Sequence, residues 1–201
     1  MTASEALFVV AGYFMGSIPF SYIMGKVIGG KDVRREGSGN VGATNVFRVV
    51  GPKAGMAAAG GDILKSLLPV LLARLAGLDP AWVAATGAAS ILGHCYPVWL
   101  GFSGGKGVNS ALAVFTVISL PAALVFGVVW LVLFRLTGWV SLASMTAAAS
   151  FPVTIAAVGG EKAYLLLAVW TALFVVYRHR SNIRNLLNGT ELRMGKGGKK
   201  G

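Results

Sequence analysis

The sequence predicts an all-α, polytopic integral membrane protein of seven transmembrane helices, with its N-terminus outside and its C-terminus in the cytoplasm. Three observations predict it. Hydrophobic residues make up 55% of the chain and charged residues only 12%, with a mean hydropathy of +0.71, whereas a soluble domain devotes about a quarter of its residues to charge. The apolar residues fall in stretches near the roughly 20 residues that cross a bilayer. Lys and Arg gather in alternate connections, as the positive-inside rule requires of cytoplasmic loops. A single domain, residues 1–201, fits this length.

The stretches run over about 4–25, 54–76, 81–100, 107–119, 121–136, 138–159 and 162–178. The first lacks a basic N-terminal region and continues into GSIPFSYIMGK, so it reads as a retained helix rather than a signal peptide. Pro19 within it removes a backbone N–H and predicts a kink. Residues 26–53 form the one long polar insertion. From Val108 to Leu136 the chain is nearly continuous in apolar character, too long for one span and short for two. Ser119 and Pro121 supply a break, because a proline ends a helix at the preceding residue. The split gives seven spans, the fourth short.

Charge decides between six spans and seven. With seven, Lys26, Lys31, Arg34, Arg35, Arg48, Lys53, Lys106, Arg135, Arg178, Arg180, Arg184, Arg193, Lys196, Lys199 and Lys200 share one side. The other side receives Arg74 and Lys162. Six spans would place the 26–53 loop and the C-terminal tail on opposite faces. Small-residue tracts, with Gly60, Gly61, Gly87 and Gly93, predict close helix approach. The net charge of +11 then belongs to a cytoplasmic face and calls for no nucleic-acid partner. Cys95 is the only cysteine, so no intrachain disulfide forms, and with two histidines it cannot build a closed zinc site.

Polar residues inside or beside these spans mark the candidate chemistry. Asp62 and Lys65 lie three apart on one helical face, either as a structural ion pair or with Lys65 directed at an anionic ligand. His94 precedes Pro97 near a span end, and it reads as a packed hydrogen-bonding residue or a ligand contact. GFSGGKG, Gly101–Gly107, lacks the spacer and hydroxyl of a nucleotide-binding P-loop. Its glycines nonetheless suit an anion nest of backbone amides at 104–107, joined by the Lys106 cation and the following helix N-terminus. GSGNVGATNVFR offers Ser38, Asn40, Thr44 and Asn45 as neutral donors, with Arg48 closing the run. In YRHRSNIRNLLNGTE, His179 and Asn182 share a face, while Arg178, Arg180 and Arg184 are candidate anchors to lipid headgroups, the default reading for the outer ones. All three clusters fall on the cytoplasmic side of one topology. The residues alone describe a membrane protein with a cytoplasm-facing phosphate site, either an enzyme or an organic-anion transporter.

The ordered set GSIPFSYIMGK, GSGNVGATNVFR, GGDILKSLLP, GHCYPVWLGFSGGKGV and YRHRSNIRNLLNGTE, from about Gly16 to Glu191, resembles the bacterial membrane glycerol-3-phosphate acyltransferase family that uses acyl phosphate. The resemblance implies a seven-helix inner-membrane enzyme with a cytoplasmic active site. Its substrates would be acyl phosphate and glycerol 3-phosphate, with acyl transfer to the 1-hydroxyl giving lysophosphatidic acid and inorganic phosphate in phospholipid synthesis. Neither a cofactor nor a metal is implied, and a monomer embedded in membrane lipid is expected. By motif match, the functional positions fall on Ser38, Asn40, Thr44, Asn45 and Arg48, on Lys106 with Gly104, Gly105 and Gly107, and on His179 and Asn182. Lys65 and His94 lie in family blocks with a less direct role. Ser66, Asn109 and Ser110 depart locally from the family pattern.

The resemblance and the residues together give an expected mechanism. Acyl phosphate is an activated anhydride, so direct transfer needs positioning, two phosphates held together, and charge stabilised on the carbonyl oxygen. Lys106 and Arg48 are expected to hold phosphate, and Ser38 to position as a donor rather than attack. His179 or a substrate phosphate oxygen takes the proton of the attacking hydroxyl.

Overall fold

The computed structural model describes residues 2–194; Lys196, Lys199 and Lys200 lie outside the described residues. The regular secondary structure of the described residues is all helical, with no strand among them. The chain opens with α1 (Ala3–Ser17) and α2 (Phe20–Gly29), then a polar loop, then the short α3 (Ala43–Val49). There follow α4 (Pro52–Leu75), α5 (Pro80–Cys95), a 3-10 turn at Val98–Leu100, α6 (Val108–Ile118) and α7 (Leu120–Thr137). The chain then forms α8 (Val140–Ala157), α9 (Lys162–Arg178) and α10 (Arg180–Leu187).

The element ends follow from local chemistry. Thr2 and Glu5 form a capping box that starts α1. Pro52 and Pro80 sit in the first turns of α4 and α5, where a missing N–H is harmless. The break expected at 119–121 is present: extended Ser119 (φ −157°) ends α6, caps the Ala122 amide of α7 at 3.4 Å, and is followed by Pro121 in the first turn. At Pro19 the outcome is stronger than a kink. The first apolar stretch is two helices, with Ile18 and Pro19 outside both.

Four stretches are long and apolar enough to cross a membrane by length and composition: Ala3–Gly29, Pro52–Leu75, Leu120–Thr137 and Val140–Ala157. The remaining apolar helices are shorter: α5 has 16 residues, α9 has 17 and α6 has 11. At 1.5 Å per residue α6 rises only about 17 Å, roughly half of a 30 Å hydrocarbon core.

Small residues set the tightest crossing, that of α1 on α5. A Cβ on Gly93 would overlap the Tyr13 carbonyl, and one on Gly16 would overlap Ser90. Gly87 faces Val114 and Gly61 faces the Phe20 ring, whereas Gly60 faces open space. The main core draws on α4 to α9, and within it Phe115 of α6 stacks on Phe151 of α8 (3.9 Å between centroids) and Phe151 on Phe126 of α7 (4.9 Å). Phe126 belongs both to this stack and to the wall of the cavity described next.

Candidate active site

The polar loop before α3 is built around Asn45. Buried at 1% exposure, it accepts from the Ser38 amide at 2.9 Å and donates to the carbonyls of Val33 (2.8 Å) and Glu36 (3.0 Å). Both amide hydrogens and the carbonyl are thus engaged with backbone. Asn45 therefore clamps the loop and leaves ligand contact to its neighbours, which corrects the expectation of a substrate donor. Gly37 turns with φ +61°, and a side chain there would overlap the Asn45 carboxamide. The clamp presents Ser38, Asn40 and Thr44 to the cavity, with Arg48 one turn further along α3. Partial burial lowers the Arg48 pKa, and Glu191 opposes that shift.

The glycine-lysine turn is also organised differently from a nest. The amides of Gly104 and Gly105 donate to Cys95 and His94 carbonyls, each at 3.1 Å, satisfying the C-terminal end of α5. They are not available to an anion. The two positions are glycine because the turn lies against α5: a Cβ on Gly105 would overlap the His94 ring, and one on Gly104 the His94 carbonyl. Gly107 adopts φ +83° and caps α6. Neither it nor Gly104 and Gly105 lines the cavity; Lys106, Val108 and Asn109 do, so the positive end of α6 faces the site directly.

Lys106 heads a chain of polar contacts. Its ammonium donates to Asn182 Oδ1, Asn182 Nδ2 donates to Glu191 Oε1 at 2.7 Å, and Ser141 Oγ donates to the same oxygen at 2.6 Å. Burial lowers the Lys106 pKa to about 8; Arg178 and Arg48 push the same way and Glu191 opposes them. His179 is 3% exposed, and its Nδ1–H donates to the Val175 carbonyl at 2.8 Å, leaving Nε2 as an acceptor. Burial, reinforced by Lys106, brings its pKa down to about 4, so the ring is neutral at pH 7.

Glu191 was not anticipated, although it is the only acid after Glu161 in a basic stretch. It belongs to a strap that folds back over the α7–α8 connection. There the Met194 amide donates to the Gly138 carbonyl at 3.0 Å and the Arg193 guanidinium lies 4.6 Å from the Trp139 ring centroid.

One cavity of roughly 590 Å³ joins these parts. It collects Ser38, Asn40, Thr44, Asn45, Arg48, His94, Lys106, His179 and Asn182 from three distant blocks of sequence. Its apolar wall is formed by Leu112 of α6 and by Phe126, Gly127 and Trp130 of α7. Lys65 is not on the wall. Its ammonium pairs with Asp62 at 2.8 Å and donates to the Ile18 carbonyl at 2.8 Å, beside the Pro19 break. Asp62 also accepts from Ser21 at 2.8 Å and lies 3.6 Å from His94 Nδ1. Lys65 is thus part of a buried structural cluster, and among the described residues its contacts leave no route to a substrate. His94 spans both settings, touching that cluster and the cavity. Among the described residues, no histidine or carboxylate bonds to the Ser38 hydroxyl.

This geometry has close counterparts among known proteins. The family described as Glycerol-3-phosphate acyltransferase matches residues 6–189. The Glycerol-3-phosphate acyltransferase of Geotalea daltonii is 46% identical over 191 residues, covering 94% of this chain and 96% of its own. That of Thermotoga petrophila is 45% identical over 193 residues, with 92% and 94% covered. The crystal structure of PlsY (YgiH), an integral membrane glycerol 3-phosphate acyltransferase, in its glycerol 3-phosphate form superposes with a TM-score of 0.92 at 43% identity, covering 96% of both chains. Its lysophosphatidic acid form gives 0.89 at 42%. By sequence along nearly its whole length and by fold, this chain belongs to the integral membrane glycerol-3-phosphate acyltransferase family.

Proposed function

We propose that this protein transfers a fatty acyl group from acyl phosphate to the 1-hydroxyl of sn-glycerol 3-phosphate, releasing lysophosphatidic acid and inorganic phosphate. The observation that carries this reading is the make-up of the cavity described above. Two cations and a helix N-terminus line it together with an apolar wall, matching a phosphorylated alcohol and a long acyl chain.

In the proposed mechanism, Lys106, Arg48 and the start of α6 hold the phosphates. Each phosphate brings the charge that a buried cation lacks, so substrate binding raises the affinity of Lys106 for its proton. Ser38, Asn40 and Thr44 orient the alcohol and the carbonyl oxygen. His179 offers a fixed Nε2 acceptor to the attacking hydroxyl. With its pKa near 4 it orients that hydroxyl better than it ionises it, until the two bound phosphates strengthen it as a base. Asn182 keeps the Lys106 ammonium aimed. The carbonyl carbon gains the alcohol oxygen and loses the phosphate oxygen, and the hydroxyl proton leaves with phosphate.

The same reading places seven spans across a bacterial inner membrane as one monomeric domain, N-terminus outside and active site facing the cytoplasm. The charge asymmetry and the Ser119 break support it. So does the bond from Arg74, at the end of α4, to the Val117 carbonyl at the end of α6, which puts those two ends together. In this reading an acyl chain arriving from the bilayer reaches the phosphate site along the short α6.

The test is direct. Purified protein is given labelled glycerol 3-phosphate with palmitoyl phosphate or palmitoyl-CoA, and lipids are extracted. Label in lysophosphatidic acid with the phosphate donor alone is expected. Equal transfer from the CoA ester, or none from either donor, would refute the proposal.

A further inference from the structure

A lipid-headgroup anchor is one role the sequence offers Arg178 at the end of α9. The structure turns it inward. Its Nη2 donates to the Gly105 carbonyl at 2.9 Å and lies 3.4 Å from the carbonyls of Gly104 and Cys95. The guanidinium also lies 4.8 Å from the centroid of the Tyr96 ring. All four partners belong to the end of α5 or to the glycine turn. Arg178 is therefore the fixed link between the turn that carries Lys106 and the helix end that carries His179.

We infer that Arg178 is a positioning residue for the acyl transfer: by holding the Gly104–Gly105 turn to the end of α9, it sets Lys106 relative to His179 and Asn182. This rests on the acyl-transfer reading above for its kinetic consequences, while the clamp itself stands on geometry. A planar guanidinium suits the role because it spreads donors over several carbonyls while stacking on an aromatic face. Lysine would keep the charge and lose the fork.

The charge has a second effect that a purely structural staple would lack. Lys106 is faced by Arg48 from α3, by Arg178 and the neutral His179 from the end of α9, and by Glu191 from the strap. Of these, Arg48 and Arg178 disfavour its protonated form and Glu191 favours it. Removing the Arg178 charge must therefore raise the pH at which Lys106 loses its proton.

The test compares the full-length wild type with Arg178→Gln and Arg178→Lys in detergent micelles. Hydrogen exchange of peptides covering residues 96–108 is read against peptides from α4 and α8. Exchange in the turn should rise about tenfold or more in both variants, while α4 and α8 keep their protection. The value of kcat/KM for glycerol 3-phosphate should fall about a hundredfold in both, the cost of misplacing a catalytic group by about 1 Å. Its alkaline limb should move to higher pH in Arg178→Gln and stay put in Arg178→Lys. Unchanged protection of the turn in either folded variant overturns the clamp. A deprotected turn with unchanged kcat/KM overturns the positioning role. An inactive wild type counts against the proposed function instead, and the exchange measurement still decides the clamp.

Discussion

Lys106 offers the sharpest quantitative test of the proposed site. Burial beside two guanidinium groups holds its pKa near 8 in the empty protein. At pH 7 about ten in eleven molecules then carry the charge, and at pH 9 about one in eleven. The substrate phosphate has its second pKa near 6, so it is already mostly dianionic at pH 7 and contributes little to this interval. Because kcat/KM reports groups of the free enzyme, kcat/KM for glycerol 3-phosphate should fall about tenfold from pH 7 to pH 9, with its midpoint near 8. Replacing Lys106 by Ala removes a hydrogen bond from a charged group to phosphate, about 1.5–3 kcal/mol. That corresponds to a loss of about 10–160-fold at pH 7. Lys106→Arg should also be impaired, since a fork does not replace a compact ammonium. Its residual activity should be flat across the alkaline range, because guanidinium does not titrate there. The assay is initial-rate transfer of labelled glycerol 3-phosphate into extractable lipid at half-unit pH steps. A wild-type profile flat from pH 7 to 9, or an alkaline limb that survives in Lys106→Arg, would refute the assignment.

Four further outcomes follow from the same geometry. Intact-protein mass spectrometry after rapid mixing with acyl phosphate alone should show no acyl adduct on Ser38; an adduct that forms as fast as turnover would make Ser38 a nucleophile. Lys65→Met leaves Asp62 buried without its partner and should destabilise the protein by about 3–5 kcal/mol, read as a lower melting temperature in detergent, with Asp62→Asn in the same chain restoring part of the loss. Gly127 lies on the apolar wall of the cavity and a Cβ there meets nothing, so Gly127→Leu should shift the preferred donor to shorter acyl phosphates, and an unchanged chain-length profile would exclude that wall from the acyl path. In intact cells lacking Cys95, an impermeant thiol reagent should label a cysteine placed at Lys162 and spare one placed at Lys196; labelling at Lys196 would reverse the orientation.

Features that depend on one local residue type were legible in the sequence. Proline cannot continue a ladder of hydrogen bonds, so the breaks at Pro19 and Pro121 could be read directly, and the polar blocks stood out against apolar surroundings. The partner each polar group would find was not legible. The spacing of GFSGGKG identifies a turn, but not that the amides of Gly104 and Gly105 are taken by the end of α5. Asn45 and Thr44 are adjacent polar residues on the cavity wall, and only the folded loop shows that Asn45 spends its side chain on the Ser38, Val33 and Glu36 backbone. Lys65 could not be matched to the Ile18 carbonyl, which lies 47 residues away in the chain. Glu191 sits 50 residues from Ser141, beyond the reach of any helical or turn rule.

The strap that carries Glu191 also fixes an order of events in time. Roughly 150 residues separate Ser38 from Glu191, and at about 5–20 residues per second the first block waits about 8–30 s for the last. From the synthesis of Lys106 onward the growing chain holds both Arg48 and Lys106 without the Glu191 carboxylate that favours their charged forms. Synthesis itself thus acts as a timer. The phosphate site reaches its finished balance of charge only after the other parts of its wall have been made, so a half-translated molecule in the bilayer lacks a completed site.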